Sequence, residues 1–318
     1  MKAIQINDKT PLLVGLPEPS GDGVKIKIRS ASICGSDLHL INNGWAEQRV
    51  LGHEFAGLTP NGIAVAVEPI HSCGLCPACN EGYRSHCSGQ ADIIGVSVDG
   101  GMAEYVMVPA ESLVELPTGL DVNSACMVEP LAVALHGLNR AKVSSKHKVL
   151  VIGAGAIGLM TAAALQARGI AYDLVAKHSH QQIAATALGA SAFTTGNTNS
   201  KNADDYSVVF DAVGTSQSLA QAAQLARPMG KIVMLGSFWQ PVSLGVEFTM
   251  KELEIVAAMT YQCKHASREF VEAGNILAVN PTIADTLVSH RFPIDGATEA
   301  FATAADRAAG AIKVVFEL

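Results

Sequence analysis

Four cysteines crowd one short stretch of this chain. Cys73, Cys76, Cys79 and Cys87 stand in CGLCPACNEGYRSHC, with two, two and seven residues between them. Gly74, Pro77 and Gly82 supply the turns that let the thiolates converge. Four converging thiolates are the donor set of a closed, tetrahedral structural zinc site. A redox CxxC pair is the rival reading, but such a pair normally opens a helix in a thioredoxin-like unit, and this stretch reads as loop. His71 and His86 flank the cluster and could replace a thiolate, although solvent-facing loop histidines account for them as well.

A second set of metal-binding residue types is spread along the chain: Cys34 in SICGSDLHL, His53 and Glu54 in LGHEFAG, and Glu129 in MVEPLAVALHG. Cysteine, histidine and carboxylate together make a mixed site that keeps one zinc position open for water or substrate. Taken singly, each could be an ordinary core or surface residue, and Glu129 could cap a helix beginning at Pro130. A third pattern is GAGAIG, in which Gly153, Gly155 and Gly158 frame Ala156 and Ile157. It follows the apolar run Val149–Ile152 and precedes an alanine-rich helix. In that setting the glycines admit a dinucleotide's pyrophosphate at the helix N-terminus. No lysine stands in the Walker position, which excludes a P-loop.

These residues must be held by elements of two kinds. Up to about residue 129 the chain is β-branched, turn-rich and mostly strand, as in Val24–Ile28. From 130 on, apolar strands alternate with helical segments: Lys148–Ile152 with Ile157–Ala167, Asp173–Ala176 with Gln181–Leu188, and Val208–Ala212 with Ser218–Ala226, then Lys231–Leu235. That alternation predicts βαβ units and a parallel sheet. Helices at Ser267–Ala278 and Gly296–Ala305 and a closing strand at Ile312–Phe316 follow. The fold class is therefore α/β plus β, in about two domains for 318 residues,. With 22 basic residues against 29 acidic ones, a net charge of −7 and no basic block, the chain is not built to grip nucleic acid or an anionic membrane,. The uncharged run Val149–Leu165 is broken by three glycines and is shorter than the roughly 20 residues of a spanning helix. MKAIQIN shows no export signal, so we expect a cytoplasmic protein whose cysteines stay reduced.

Together these residues resemble the zinc-containing medium-chain dehydrogenase/reductase family. The elements come in family order: the Cys34 segment, GHE at Gly52–Glu54, the four-cysteine lobe, EP at Glu129–Pro130, GAGAIG, DAVG at Asp211–Gly214, and KVV at Lys313–Val315. The resemblance implies a GroES-like β catalytic domain (1–129), an inserted Rossmann domain with a doubly wound parallel sheet (130–264), and a return to the first domain (265–318). It implies two zinc ions per chain. Cys34 and His53 fall on catalytic zinc ligands, and Glu54 and Glu129 on positions used as ligand or as near-zinc carboxylate. Ser36 falls on the hydroxyl that takes the substrate proton, His39 on the outer histidine of that relay, and Asp37 on the carboxylate that orients His53. Glu129 within EPLAVALHG is similar to the polyol and sorbitol dehydrogenase branch. The implied reaction moves hydride between a nicotinamide cofactor and a small alcohol, polyol or matching carbonyl compound.

Two features depart from the family pattern. The segment GLTPNGIAVAVEP is short and lacks the usual GDRV, as if a hairpin had been trimmed. At the end of the second Rossmann strand, where NAD-dependent relatives carry an aspartate, stands Ala176 followed by Lys177 and His178. Losing the carboxylate and gaining cations favours NADP over NAD, provided Asp173 lies inside the strand. Leu253–Met259 reads as an exposed sheet edge and predicts a homodimer or homotetramer. Two rival functions stay open: an NADPH-dependent reductase of apolar aldehydes or ketones, with Trp45 or Trp239 as a wall, and a dinucleotide-binding regulator without turnover. Ordinary packing is the plainer account of both tryptophans.

Overall fold

The computed structural model describes residues 1–89, 91–194, 205–262 and 268–318. The chain divides into two compact units, Met1–Glu129 with Gln262–Leu318, and Pro130–Tyr261. Position 264, the expected end of the second domain, and Ser267, the expected start of a helix, lie outside the described residues.

The first unit is built on a seven-stranded sheet. Its order is Val288–Pro293, Lys313–Glu317, Val24–Ser32, Glu54–Leu58, Ala64–Val67 and Leu113–Glu115, with Tyr105–Val108 also pairing Val24–Ser32. Val288–Pro293 alternates in burial, whereas Glu54–Leu58, Ala64–Val67 and Lys313–Glu317 are buried almost throughout, and Ile4, Ile26, Ile28, Phe55, Val106 and Phe316 form the core,. The pairing sets the functional residues: Ser32 lies opposite Glu54 on one side and Val315 on the other. The chain then turns into the helix Gly35–Asn42, so Cys34, His53, Glu54 and Lys313 arrive at one end of three adjacent strands. Gly52, just before His53, has φ +103°, and a Cβ there would sit 2.8 Å from Met102. Only glycine serves at that turn. The shortened segment after GHE is a tight hairpin, Glu54–Leu58 with Ala64–Val67, closed by the Thr59 N–H on the Ile63 carbonyl.

The second unit is a six-stranded parallel sheet in the order Ala192–Thr194, Tyr172–Val175, Val149–Ile152, Tyr206–Asp211, Ala226–Met234 and Glu254–Ala257. Numbered along the chain this is 3-2-1-4-5-6, the doubly wound dinucleotide-binding order. All four residues of Val149–Ile152 are buried, as a central parallel strand requires,. Two elements differ from expectation. The third strand, Ala192–Thr194, follows no apolar run, and the fifth begins at Ala226, through a Pro and a Gly that read as turn. The helix carrying Glu129 starts at Val128, so Glu129 sits in its first turn and does not cap a helix starting at Pro130.

Candidate active site and metal centres

The four-cysteine lobe converges as its spacing predicts. The sulfurs of Cys73, Cys76, Cys79 and Cys87 lie within 4.8 Å of one another. Individual separations are 3.5 Å for Cys76–Cys79, 3.3 Å for Cys73–Cys87, 3.9 Å for Cys76–Cys87 and 4.0 Å for Cys73–Cys79. Four sulfurs about 2.3 Å from a tetrahedral zinc stand roughly 3.8 Å apart, so the donor set fits the metal. The backbone N–H groups of Leu75 and Cys76 hold the Cys73 thiol below its ordinary pKa, and those of Cys79 and Ser88 bring Cys76 down to about 5,. The stretch is not all loop, because one helical turn, Pro77–Asn80, follows Cys76. A redox pair is still disfavoured, since it explains two of the four clustered sulfurs. His71 and His86 are exposed and stand outside the cluster.

In the same unit, Cys34, His53 and Glu54 bring one ligand atom each within 4.8 Å of the others. Glu129 is buried but is not in that group; it acts on the surroundings through the charge it presents to Lys313. Asp37 is fully buried on the helix that follows Cys34. Its Oδ2 accepts the Cys34 N–H at 2.9 Å, and its Oδ1 stands 3.4 Å from His53 Nδ1. An Nδ1–H facing Asp37 leaves Nε2 as the lone pair for a metal. Burial penalises the charged form of His53, yet the charges of Asp37 and Cys34 outweigh it and hold the imidazole well above its ordinary pKa,. A field that holds a proton there would attract a divalent cation, and the donor set suits zinc. Ser36 is half-buried and His39 exposed on the helix Gly35–Asn42, three residues apart and so neighbours on one face,.

Sequence reasoning missed the residue that organises this pocket. Lys313, 2% exposed, donates to both Glu54 oxygens at 2.6 and 2.7 Å and to the Ile33 carbonyl at 3.4 Å. The Ser32 hydroxyl donates to the same carboxylate. Burial alone would raise the Glu54 pKa, but the Lys313 ammonium, His53 and the hydrogen bonds from Lys313 and Ser32 bring it below the ordinary value,. Lys313 is itself held up against burial by Glu54, Cys34 and Glu129. The available signal was a lone lysine heading the apolar run KVVF, where a charge needs a buried partner.

In the second unit the glycines of GAGAIG have separate duties. Gly153 has φ +96°, and a Cβ there would meet Val213 at 2.5 Å. A Cβ on Gly158 would strike the Gly153 carbonyl at 1.8 Å, so this glycine lets helix and strand pack closely. Gly155 caps the helix Ala156–Ala167 and faces open space, which leaves room for a pyrophosphate at the helix start,. Asp211 ends the neighbouring strand and ties the DAVG loop by accepting the Val213 and Gly214 N–H groups and the Ser218 hydroxyl. Asp173 lies within its strand, paired with Leu150, and accepts the Tyr206 hydroxyl at 2.7 Å. Ala176 is buried just beyond the strand, and Lys177 and His178 are exposed. Trp45 is 62% exposed and Trp239 38%, so neither is core packing.

A β domain carrying a mixed Cys/His/Glu cluster, joined to a dinucleotide-binding sheet of this order, defines a metal-dependent, nicotinamide-linked oxidoreductase. Residues 20–118 match the alcohol dehydrogenase GroES-like domain and residues 122–318 the glucose dehydrogenase C-terminus. The chain belongs to the zinc-containing medium-chain dehydrogenase/reductase family. It is 32% identical to L-galactonate-5-dehydrogenase of Escherichia coli (strain K12), over 90% of this chain and 89% of that one. Among solved structures it is similar, at 26% identity and TM-score 0.87, to an alcohol dehydrogenase (rspB) of E. coli CFT073 complexed with NADH, covering 100% of this chain and 99% of that one. A putative zinc-binding dehydrogenase of Sinorhizobium meliloti 1021 bound to NADP matches with the same identity, coverage and TM-score. The protein is an enzyme, an oxidoreductase that transfers hydride between a nicotinamide cofactor and an alcohol or polyol, or the matching carbonyl compound. That excludes the regulator without turnover.

Proposed function

We propose that this enzyme is an NADP-preferring dehydrogenase of small polyols that carries two zinc ions per chain. The observation that carries the reading is the convergence of Cys34, His53 and Glu54 in a buried pocket where Asp37 fixes the histidine and Lys313 the glutamate. Those three residues would hold the catalytic zinc, with Glu129 as a nearby carboxylate, and the four-cysteine lobe would hold a structural one. Zinc bound at the first site supplies positive charge that lowers the pKa of a substrate hydroxyl. Ser36 would accept the hydroxyl proton, and His39, one helical turn on and exposed, would be the outer group that releases it to solvent,. Gly153, Gly155, Ala156, Ile157 and Gly158 receive the pyrophosphate.

NADP preference rests on the end of the second strand. Ala176 offers no carboxylate to the adenine ribose, while Lys177 and His178 are exposed beside it and can meet a 2′-phosphate,. Asp173 is engaged by Tyr206 inside the strand and does not compete. Among the described residues no helix is long and apolar enough to cross a membrane. The net charge of −7 supports a small-molecule partner in place of nucleic acid or an anionic membrane, and the cytoplasm is the compartment proposed for the enzyme. The strand Glu254–Ala257 ends its sheet with Ile255 40% exposed, which supports pairing into a homodimer or homotetramer,.

The test is steady-state turnover of zinc-replete protein on a panel of polyols, sugar acids and medium-chain aldehydes with each cofactor. Polyol oxidation with a higher kcat/KM for NADP than for NAD is expected. Turnover confined to apolar aldehydes would favour the reductase reading, and equal or better use of NAD would defeat the assignment of Lys177 and His178.

A further inference from the structure

One set of buried polar contacts lies outside the active site and is absorbed by none of its chemistry. It begins on the lobe. The Cys79 sulfur lies 3.4 Å from the hydroxyl of Ser72, which is 8% exposed. The same hydroxyl oxygen accepts Arg84 Nε–H at 3.1 Å. Arg84 then turns its Nη1 to Glu68 Oε1 at 3.6 Å, with the two side chains 12% and 1% exposed. Glu68 follows the sheet strand Ala64–Val67 and is fixed by its own N–H on the Ser112 carbonyl. Two contacts within hydrogen-bond distance and one buried ion pair thus lead from a lobe cysteine to the sheet.

We infer that Ser72, Arg84 and Glu68 form an outer relay that holds the lobe's metal by aiming a hydroxyl proton at Cys79. The inference rests on the reading that the four cysteines bind zinc. A serine hydroxyl has one proton and two lone pairs. Arg84 Nε–H occupies a lone pair on one side, and the thiolate that zinc requires accepts the proton on the other. Glu68 keeps the guanidinium from swinging away through an ion pair in which both side chains are largely buried, so that loosening it would cost each charge a desolvated partner,. A hydrogen bond to a metal-bound thiolate drains charge from sulfur, making it a poorer target for protons, oxidants and competing ligands. Arg84 and Ser72 are therefore positioning residues for the metal. Removing such an outer partner typically costs about ten- to a hundredfold in metal affinity.

The test uses the zinc-loaded enzyme, a chromogenic chelator and a thiol reagent together. Release from the lobe is the phase in which four thiols become reactive for each zinc freed, which separates it from release at Cys34. Ser72→Ala should speed that phase about tenfold or more with an unchanged urea midpoint, and Arg84→Gln should do so at least as much. In cobalt-substituted protein Ser72→Ala should move the thiolate-to-metal charge-transfer band to lower energy, a change that a merely structural role would not produce. A release rate within twofold of wild type and an unmoved band in Ser72→Ala would overturn the relay. Wild-type protein without any four-thiol phase would overturn the lobe-zinc reading and the relay with it.

Discussion

Replacing Lys313 with methionine keeps the length of the side chain and removes its charge, leaving Glu54 fully buried with Ser32 as its remaining hydrogen-bond donor from that group. Breaking one side of a buried ion pair costs about 3–5 kcal/mol, because the orphaned charge stays desolvated. We expect that loss near pH 8, read by urea denaturation of both proteins with the metal removed by chelator, since a zinc ion held by Glu54 would itself neutralise the carboxylate. Trp45 lies in the first unit and Trp239 in the second, so a Trp239→Phe background reports the first unit's unfolding by fluorescence. The pH dependence supplies a second check. In the wild type the folded Glu54 pKa is depressed, so its stabilisation is present above the unfolded value of about 4.3 and fades as pH falls through the folded value. Without Lys313, burial is opposed by the His53 charge and the Ser32 hydroxyl alone, so the Glu54 pKa rises from its wild-type value and the carboxyl takes up a proton earlier as the solution is acidified,. The gap between the two proteins should therefore be widest above neutrality and shrink toward pH 4. Glu54→Gln combined with Lys313→Met should recover part of the loss, since no charge is then stranded. A gap below about 1 kcal/mol, or one that does not change with pH, would refute the claim that Lys313 organises this pocket.

Metal analysis should return two zinc ions per chain, and Cys76→Ser should lose the lobe zinc while NADP binding by the GAGAIG unit survives; a single zinc confined to the lobe would remove the catalytic metal. Ala176→Asp with Lys177→Ala should shift kcat/KM toward NAD, because the new carboxylate accepts the ribose hydroxyls and repels a 2′-phosphate; an unchanged ratio would put the specificity elsewhere. Burial pushes the Cys126 thiol up to about 11, so the folded state keeps its proton after the unfolded chain loses it near pH 8.5. Stability should then fall between those values by up to about 3 kcal/mol, and Cys126→Ser should flatten that fall. An aspartate at Ile255, exposed on the edge strand, should dissociate the oligomer; a wild-type monomer at micromolar concentration would contradict the edge-pairing proposal.

The parts of this molecule that were legible in its sequence are those whose chemistry is local. Cys73 to Cys87 and Gly153 to Gly158 each carry their geometry within a few residues, since turns and a strand-to-helix corner fix where the donors and the open backbone point. The pocket around Glu54 was only half legible. Cys34, Asp37, His53 and Glu54 could be named, but Lys313 reaches Glu54 across the whole chain through the pairing of Val315 with Ser32. No local pattern announces that register. The strand Ala192–Thr194 was missed because three residues leading into a Thr, Gly, Asn and Ser run give no periodicity,. The start at Ala226 was missed because Pro228 and Gly230 read as a turn, whereas the strand pairs Ala226 with Tyr206 and resumes at Lys231 across an irregularity,. Trp45 shows the opposite failure, an apolar side chain taken for core that lies mostly in solvent,.

The central claim is that hydride moves between an alcohol carbon and the nicotinamide under the control of the Cys34, His53 and Glu54 pocket. Its most direct test is isotopic. Zinc-replete enzyme is given NADP and a polyol panel deuterated at the carbinol carbons, and the reduced cofactor is examined by mass spectrometry. The account predicts one deuterium per reduced nicotinamide from the wild type and none above background from Cys34→Ser or His53→Ala proteins that still bind NADP. Absence of transfer by the zinc-replete wild type to NADP and to NAD alike across the panel, or undiminished transfer by the Cys34 and His53 variants, would contradict it.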